Sequence, residues 1–297
     1  MVLDMFYILA NTAFQALVIG FVYAALALGY NVVYRASKAI NLAEPELVVF
    51  TAYIAFISLT YYGVPALMAF ISSLIVGFSI GVILERLLAR PLRGRPVVAL
   101  MAATLGAYYV LRGASMIMSR GFEIGGLGLP EAYHSLGPIR ASLSDFVAIG
   151  ISSLVIAGMV LLHKFTRLGI AMRAVSEDAF GATAYGLPVR SLTMLSWGVA
   201  GAVSAAAALA LAAKAQVGPT LDFYALKALA ASLLAGLDSI AGVIVGGLVL
   251  GFVEQFGSLA LDPILPGVGN QLAFVVMLVV LLVKPYGLFG TERIERV

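Results

Sequence analysis

Apolar runs of roughly 16 to 25 residues recur along the chain, each closed by Pro, Gly or charge. About 20 helical residues cover about 30 Å of hydrocarbon, so this spacing predicts membrane-crossing helices. The runs lack the period-two alternation of a membrane barrel, and the chain reads as an all-α polytopic membrane protein. Predicted spans cover residues 12–34, 47–62, 66–88, 97–118, 146–163, 192–213, 241–259 and 271–283. A shorter segment at 222–238, interrupted by Gly236 and Asp238, reads as a partial or re-entrant helix or as a further crossing, which gives eight or nine spans in all. Residues 1–297 form one transmembrane domain, with a polar loop at 164–190 inside it. The Ala- and Gly-rich span at 192–213 predicts close helix approach.

Composition fixes the class. The 297 residues are 62% apolar and 11% charged, against about 25% charged in an average soluble domain. At the N-terminus, Asp4 stands where a signal peptide carries a cation, and the apolar run exceeds a cleaved h-region, so this run reads as a retained first span. The absence of cysteine excludes structural disulfides, thiolate metal sites and thiol catalysis. His134 and His163 have no second imidazole at ligand spacing, so no metal is expected. A P-loop motif is missing, so this chain is expected to bind no cofactor, and ATP hydrolysis, if used, falls to another chain.

Placement of charge predicts orientation. If the joint with Arg35 and Lys38, the loop with Arg86, Arg90, Arg93 and Arg95, the stretch from Lys164 to Arg190 and the tail from Lys284 are cytoplasmic, that side holds 13 of the 18 Lys and Arg. Nine crossings with the N-terminus outside and the C-terminus inside satisfy this. Eight crossings would break the alternation at the span of residues 241–259. Glu123, Glu131, Asp145, Asp222 and Asp262 then fall in outer loops. The net charge of +3 reports orientation and gives no sign of nucleic acid.

The loop at 164–190 carries the candidate functional residues. Ser176 is the expected N-cap of a helix over residues 177–185, with Glu177 and Asp178 over its positive dipole end. Gly186 is placed to take the left-handed conformation that ends the helix, and Pro188 forbids continuation. A helix of nine residues is too short to stand alone and is expected to dock on a partner. Ala179, Ala182 and Gly186 make one small-residue face, with Phe180 and Tyr185 elsewhere.

A small-residue helix ending in Gly before Leu-Pro resembles the cytoplasmic coupling helix of bacterial ABC importer permeases, whose pattern is E-A-A-x-x-x-G. Here the register runs from Phe180 to Gly186 and the leading Glu is missing. The strings GFVYAALALGYNVVYRASKAINLAEPELVVFTAY, ERLLARPLRGRP, TRLGIAMRAVSED, GLDSIAGVIVGGLVLGFVE and KPYGLFG extend the likeness over nearly the whole chain. They resemble the LivH-type permeases of branched-chain amino acid importers. Ala43-Glu44-Pro45-Glu46 stands where that family usually has Ala-Gln-Gly-Glu. The resemblance implies a permease subunit in the cell inner membrane that imports branched-chain or related amino acids. It also implies a LivM-type second permease, two ATPase subunits and an extracytoplasmic solute-binding protein. An importer of urea, amides or sugars and a self-sufficient ion-coupled transporter are the alternatives, and a structural membrane anchor is the bland one.

Glu85, Arg112, Lys214, Lys227, Asp238 and Glu254 lie near or inside spans, where a mid-bilayer charge costs about 2.5 to 3.5 kcal/mol. Most read as span-end groups that snorkel or pair. Lys227, Glu254 and Glu46 are the candidate pathway or pairing charges. Asp145 and Ser144 read as helix caps. Residues 75–85 and 244–254 share Ile-Val-Gly, seven residues, then Glu, which suggests two inverted halves. Chance in a Val-, Ile- and Gly-rich composition is the rival explanation.

Overall fold

Hydrocarbon offers a backbone no water to bond with, so a spanning chain must satisfy its own N–H and C=O groups within helices. The computed structural model describes residues 2–120, 125–127, 129 and 132–290. Glu123, Glu131 and the tail cations Arg293 and Arg296 lie outside the described residues. The helices are α1 (Val2–Ser37), α2 (Glu44–Thr60), α3 (Ala66–Leu84, continued by a π-helical turn over Glu85–Ala89), α4 (Val97–Ser119), α5 (Leu143–Phe165), α6 (Arg167–Glu177), α7 (Ala179–Ala184), α8 (Val189–Ala212), α9 (Leu221–Ala235), α10 (Ile240–Leu261) and α11 (Val268–Val283). A hairpin of β1 (Tyr133–Leu136) and β2 (Ile139–Ser142) precedes α5. The chain is all-α and polytopic, and α1, α3 with its π turn, α4, α5, α8 and α10 are long and apolar enough to cross a membrane.

Buried α1 and α8 form the centre. α1 packs on α10, α8, α9 and α5, and α3 packs on α8. Small residues set that second contact, as the composition of the span at 192–213 predicts: a Cβ at Gly77 would strike the carbonyl oxygen of Gly201. α1 is longer than its predicted span of residues 12–34. At 36 residues it is about 54 Å long, more than a bilayer core needs. Its first turns are exposed, and the hairpin braces it where Arg140 N–H donates to Asn11 Oδ1 at 3.2 Å.

Helix ends sort into two groups. At one end Asn31 Nδ2 donates to Gly236 O and Ser239 O, Lys38 meets Asp238 at 3.5 Å, and the segment after α11 bonds back to Leu234 and Ala235. At the other end Lys214, just past α8, pairs with Asp145 at the start of α5, and Gln15 reaches the same carboxylate. Asp145, expected as a cap, acts in the capping of α5 from the N3 position. Its partner in the reciprocal capping box is Ser142 and not Ser144, because only Ser142 sits in extended backbone before the first turn.

α2 and α9 begin inside the bundle. Leu42 N–H donates to Thr104 Oγ1 at 3.1 Å, and Thr104 lies about 10 Å along α4. The Ser204 hydroxyl, about 22 Å along α8, donates to Glu44 in the first turn of α2. Arg112, about 22 Å along α4, bonds Pro219 O just before α9. Irregular backbone at this depth is tolerated because protein buries it. α9 has 15 residues, and the helix stops at Gly236, whose φ is 99°.

Candidate functional site

The loop between α5 and α8 folds into a helical bracket. Thr166 caps α6 by accepting from Gly169 N–H at 3.0 Å. Met172 and Val175 stand three apart on α6, and they bury with Ala182 and Leu192 in a small core separate from the main one. That burial carries α6 through Ser176 and Glu177, which corrects the expected cap. Asp178 is the N-cap of α7, and its Oδ1 accepts from Phe180 and Gly181 N–H at 2.9 Å each. α7 therefore has six residues, where nine were expected.

The predicted stop is present. Gly186 has φ of 79°, its N–H bonds Thr183 O at 2.9 Å, and Leu187 N–H bonds Ala182 O at 3.0 Å, the paired closure of a Schellman motif. Pro188 caps the start of α8. The small-residue face does not stay together at the surface. Ala182 turns inward while Ala179 and Gly186 are exposed. What the bracket presents to solvent is aromatic, with Phe180 87% and Tyr185 91% exposed. Beside it, Ser176 and Glu177 line a cleft of about 530 Å³ with Arg35, Lys38, Arg93 and Arg95.

Lys227, Glu254, Glu46 and Arg112 are all paired. Lys227 Nζ lies 3.0 Å from Glu254 Oε1, over the Tyr224 ring, and donates to Asn270 Oδ1. Tyr23 O–H donates to Glu254 Oε2 at 2.6 Å, so α1, α9, α10 and α11 meet at one carboxylate–ammonium pair. Glu46 is fully buried, 3.1 Å from Arg112 Nη1, which also lies 3.0 Å from Asp222. Tyr108 O–H donates to the same Asp222 oxygen at 3.0 Å. The structure thus brings Lys227 and Glu254 together and places Glu46 in a second network. Glu85 binds Arg90 and Arg93 at 2.9 and 2.7 Å, as the pairing expectation has it. Sequence reading missed Tyr23, Tyr108 and Asn270 as partners. An Asn in the first turn of the last span was the available signal for Asn270.

None of the described Asp, Glu and His residues cluster in a metal-binding group. Both networks hold helix ends at fixed depths, and the bracket offers a solvent-facing contact. Residues 12–283 match the family described as branched-chain amino acid transport system, permease component. The Pseudomonas aeruginosa high-affinity branched-chain amino acid transport system permease protein BraD is 31% identical over 95% of this chain and 96% of its own length. The corresponding LivH protein of Salmonella typhimurium is 26% identical over 99% of each chain. A probable LivH of Methanocaldococcus jannaschii is 29% identical over 90% of this chain and 88% of its own. The chain belongs to the family of branched-chain amino acid transport permease components, which are transport subunits and not enzymes.

Proposed function

We propose that this chain is one of two permeases in an ATP-driven importer of branched-chain or related amino acids, paired with a different, LivM-type permease. Two ATPase subunits and an extracytoplasmic solute-binding protein complete the assembly. In this reading nine helices cross the cell inner membrane, α2 and α9 completing their crossings with non-helical chain, the N-terminus outside and the C-terminus in the cytoplasm. The charge distribution supports that orientation, since the two-ended sorting of helix termini gathers the Arg- and Lys-rich joints at one end.

The observation that carries the reading is the α6–α7 bracket. It is a self-packed lever with two bare aromatic side chains, fixed to α5 and α8 on either side. Ser176, Glu177 and Asp178 shape its approach, Ala182 holds it to its own small core, and Gly186 with Pro188 sets its exit into α8. ATP-driven closure of the ATPases would press on Phe180 and Tyr185, and α5 and α8 would carry the displacement into the bundle. The Gly-mediated packing of α3 on α8 and the close packing of α10 on α1 support an inverted repeat.

Purification of the chain with its co-migrating proteins, followed by reconstitution, tests the reading. ATP-dependent uptake of L-leucine that requires an added binding protein is the expected result. Uptake by this chain alone under a proton or sodium gradient would overturn it in favour of secondary transport.

A further inference from the structure

A cavity of about 530 Å³ opens between α4, the segment joining α8 to α9, the start of α9 and the start of α11. Its wall includes Lys214, at the level of the α5 N-terminus, and runs down to Arg112, Asp222, Lys227 and Asn270 inside the bundle. Such a volume lies within the range of small-molecule sites. Charged side chains at this depth are too costly to face lipid, so the cavity opens to water or to a second subunit. The contrast is local: the neighbouring outer face of α4 bares Val110 and Ile117, as a lipid face does.

Polarity of the wall has a direction. Arg112 and Lys214 line it with side chains 23% and 24% exposed, while Glu46 and Asp145, which pair with them, stand behind. Glu46 and Asp145 are fully buried and do not line the cavity, and Lys227, 2% exposed and tied to Glu254, forms only its inner limit. A solute entering therefore meets the positive ends of the Arg112 and Lys214 pairs, and Asp222 is the carboxylate in the described wall. Phe223 and Tyr224 add aromatic surface. α9 also begins here, so the positive end of its dipole adds to the same field.

We propose that this cavity is a solute-binding vestibule on the translocation path, which receives the carboxylate of a zwitterionic amino acid at the Arg112–Lys214 wall and its ammonium at Asp222. The inference rests on the importer reading above and names where in this chain the solute passes. It also assigns the face carrying Lys214, Thr220 and Asn270 to the path side of the subunit.

The test uses the natural absence of cysteine. Gln216→Cys places one thiol on the cavity rim, and Val110→Cys places one on the apolar face as a control. In the assembled, reconstituted complex, an anionic sulfonate-bearing methanethiosulfonate reagent should label Gln216→Cys roughly tenfold faster than its trimethylammonium counterpart, because a cationic wall concentrates anions. L-leucine should slow that labelling, and 3-methylbutylamine, which lacks the carboxylate, should not. Adding Lys214→Met with Asp145→Asn keeps net charge constant and should narrow the reagent ratio. Equal rates for the two reagents, no labelling, no protection by L-leucine, or a ratio unmoved by the double variant would overturn the proposal. Failure of ATP-driven uptake by the unmodified complex would overturn the importer reading, and it is scored apart from the labelling ratio.

Discussion

Lys227 and Glu254 meet at 3.0 Å between α9 and α10, with Lys227 2% exposed and Tyr23 of α1 closing the other carboxylate oxygen. Removing one member leaves the other charge buried and unpaired, which costs about 3 to 5 kcal/mol. Lys227→Met alone is expected to lower the thermal stability of the solubilised chain sharply. Lys227→Met with Glu254→Gln should recover most of the loss, since the Gln carbonyl still accepts from Tyr23. Equal melting of single and double variants would mean that the pair does not hold α9 to α10.

Gly77 and Gly201 bring α3 and α8 into backbone contact. A side chain at either position has no room, and overpacking costs about 1 to 3 kcal/mol or more. Gly77→Val is expected to reduce the folded yield measured by size-exclusion of the detergent-extracted protein. Gly106 has open space around it, so Gly106→Ala should be neutral or slightly stabilising, Ala being the better helix former.

Ala182 and Tyr185 lie on one short helix with opposite duties. Ala182→Trp would force apart the small core of Met172, Val175 and Leu192, and should loosen the bracket enough to raise protease cleavage between α5 and α8. Tyr185→Ala touches no packed neighbour and should leave the cleavage pattern unchanged. Matching cleavage in both variants would contradict the inward assignment of Ala182.

Orientation is open to labelling. Arg93→Cys should react with membrane-impermeant reagents from the cytoplasmic side alone, and Gly63→Cys from the outside. Outside accessibility at position 93 would invert the topology.

The spans were legible because bilayer thickness dictates their length, and the runs at 66–88, 97–118 and 241–259 coincide with α3, α4 and α10 to within a few residues. α1 was underestimated because its first turns are apolar yet lie beyond the level where Gln15 meets Asp145, and hydropathy does not report that depth. The local sequence points to Ser176 as the cap of α7, although Ser and Asp both satisfy a helix start. The burial of Met172 and Val175 on Leu192 decides between them, and that is a tertiary contact. Partners such as Tyr23 for Glu254 are 231 residues apart in sequence, and no local pattern connects them.

Association of the ATPase with the bracket is the most direct test of the account. With Phe180→Ala and Tyr185→Ala combined, the chain should insert and melt as the parent does, because both side chains are solvent-facing. Binding of the purified ATPase subunit to the permease pair should weaken by at least roughly tenfold, the scale of losing one aromatic anchor of an interface. Unchanged ATPase affinity in the double variant would contradict the claim that this helix is the docking lever.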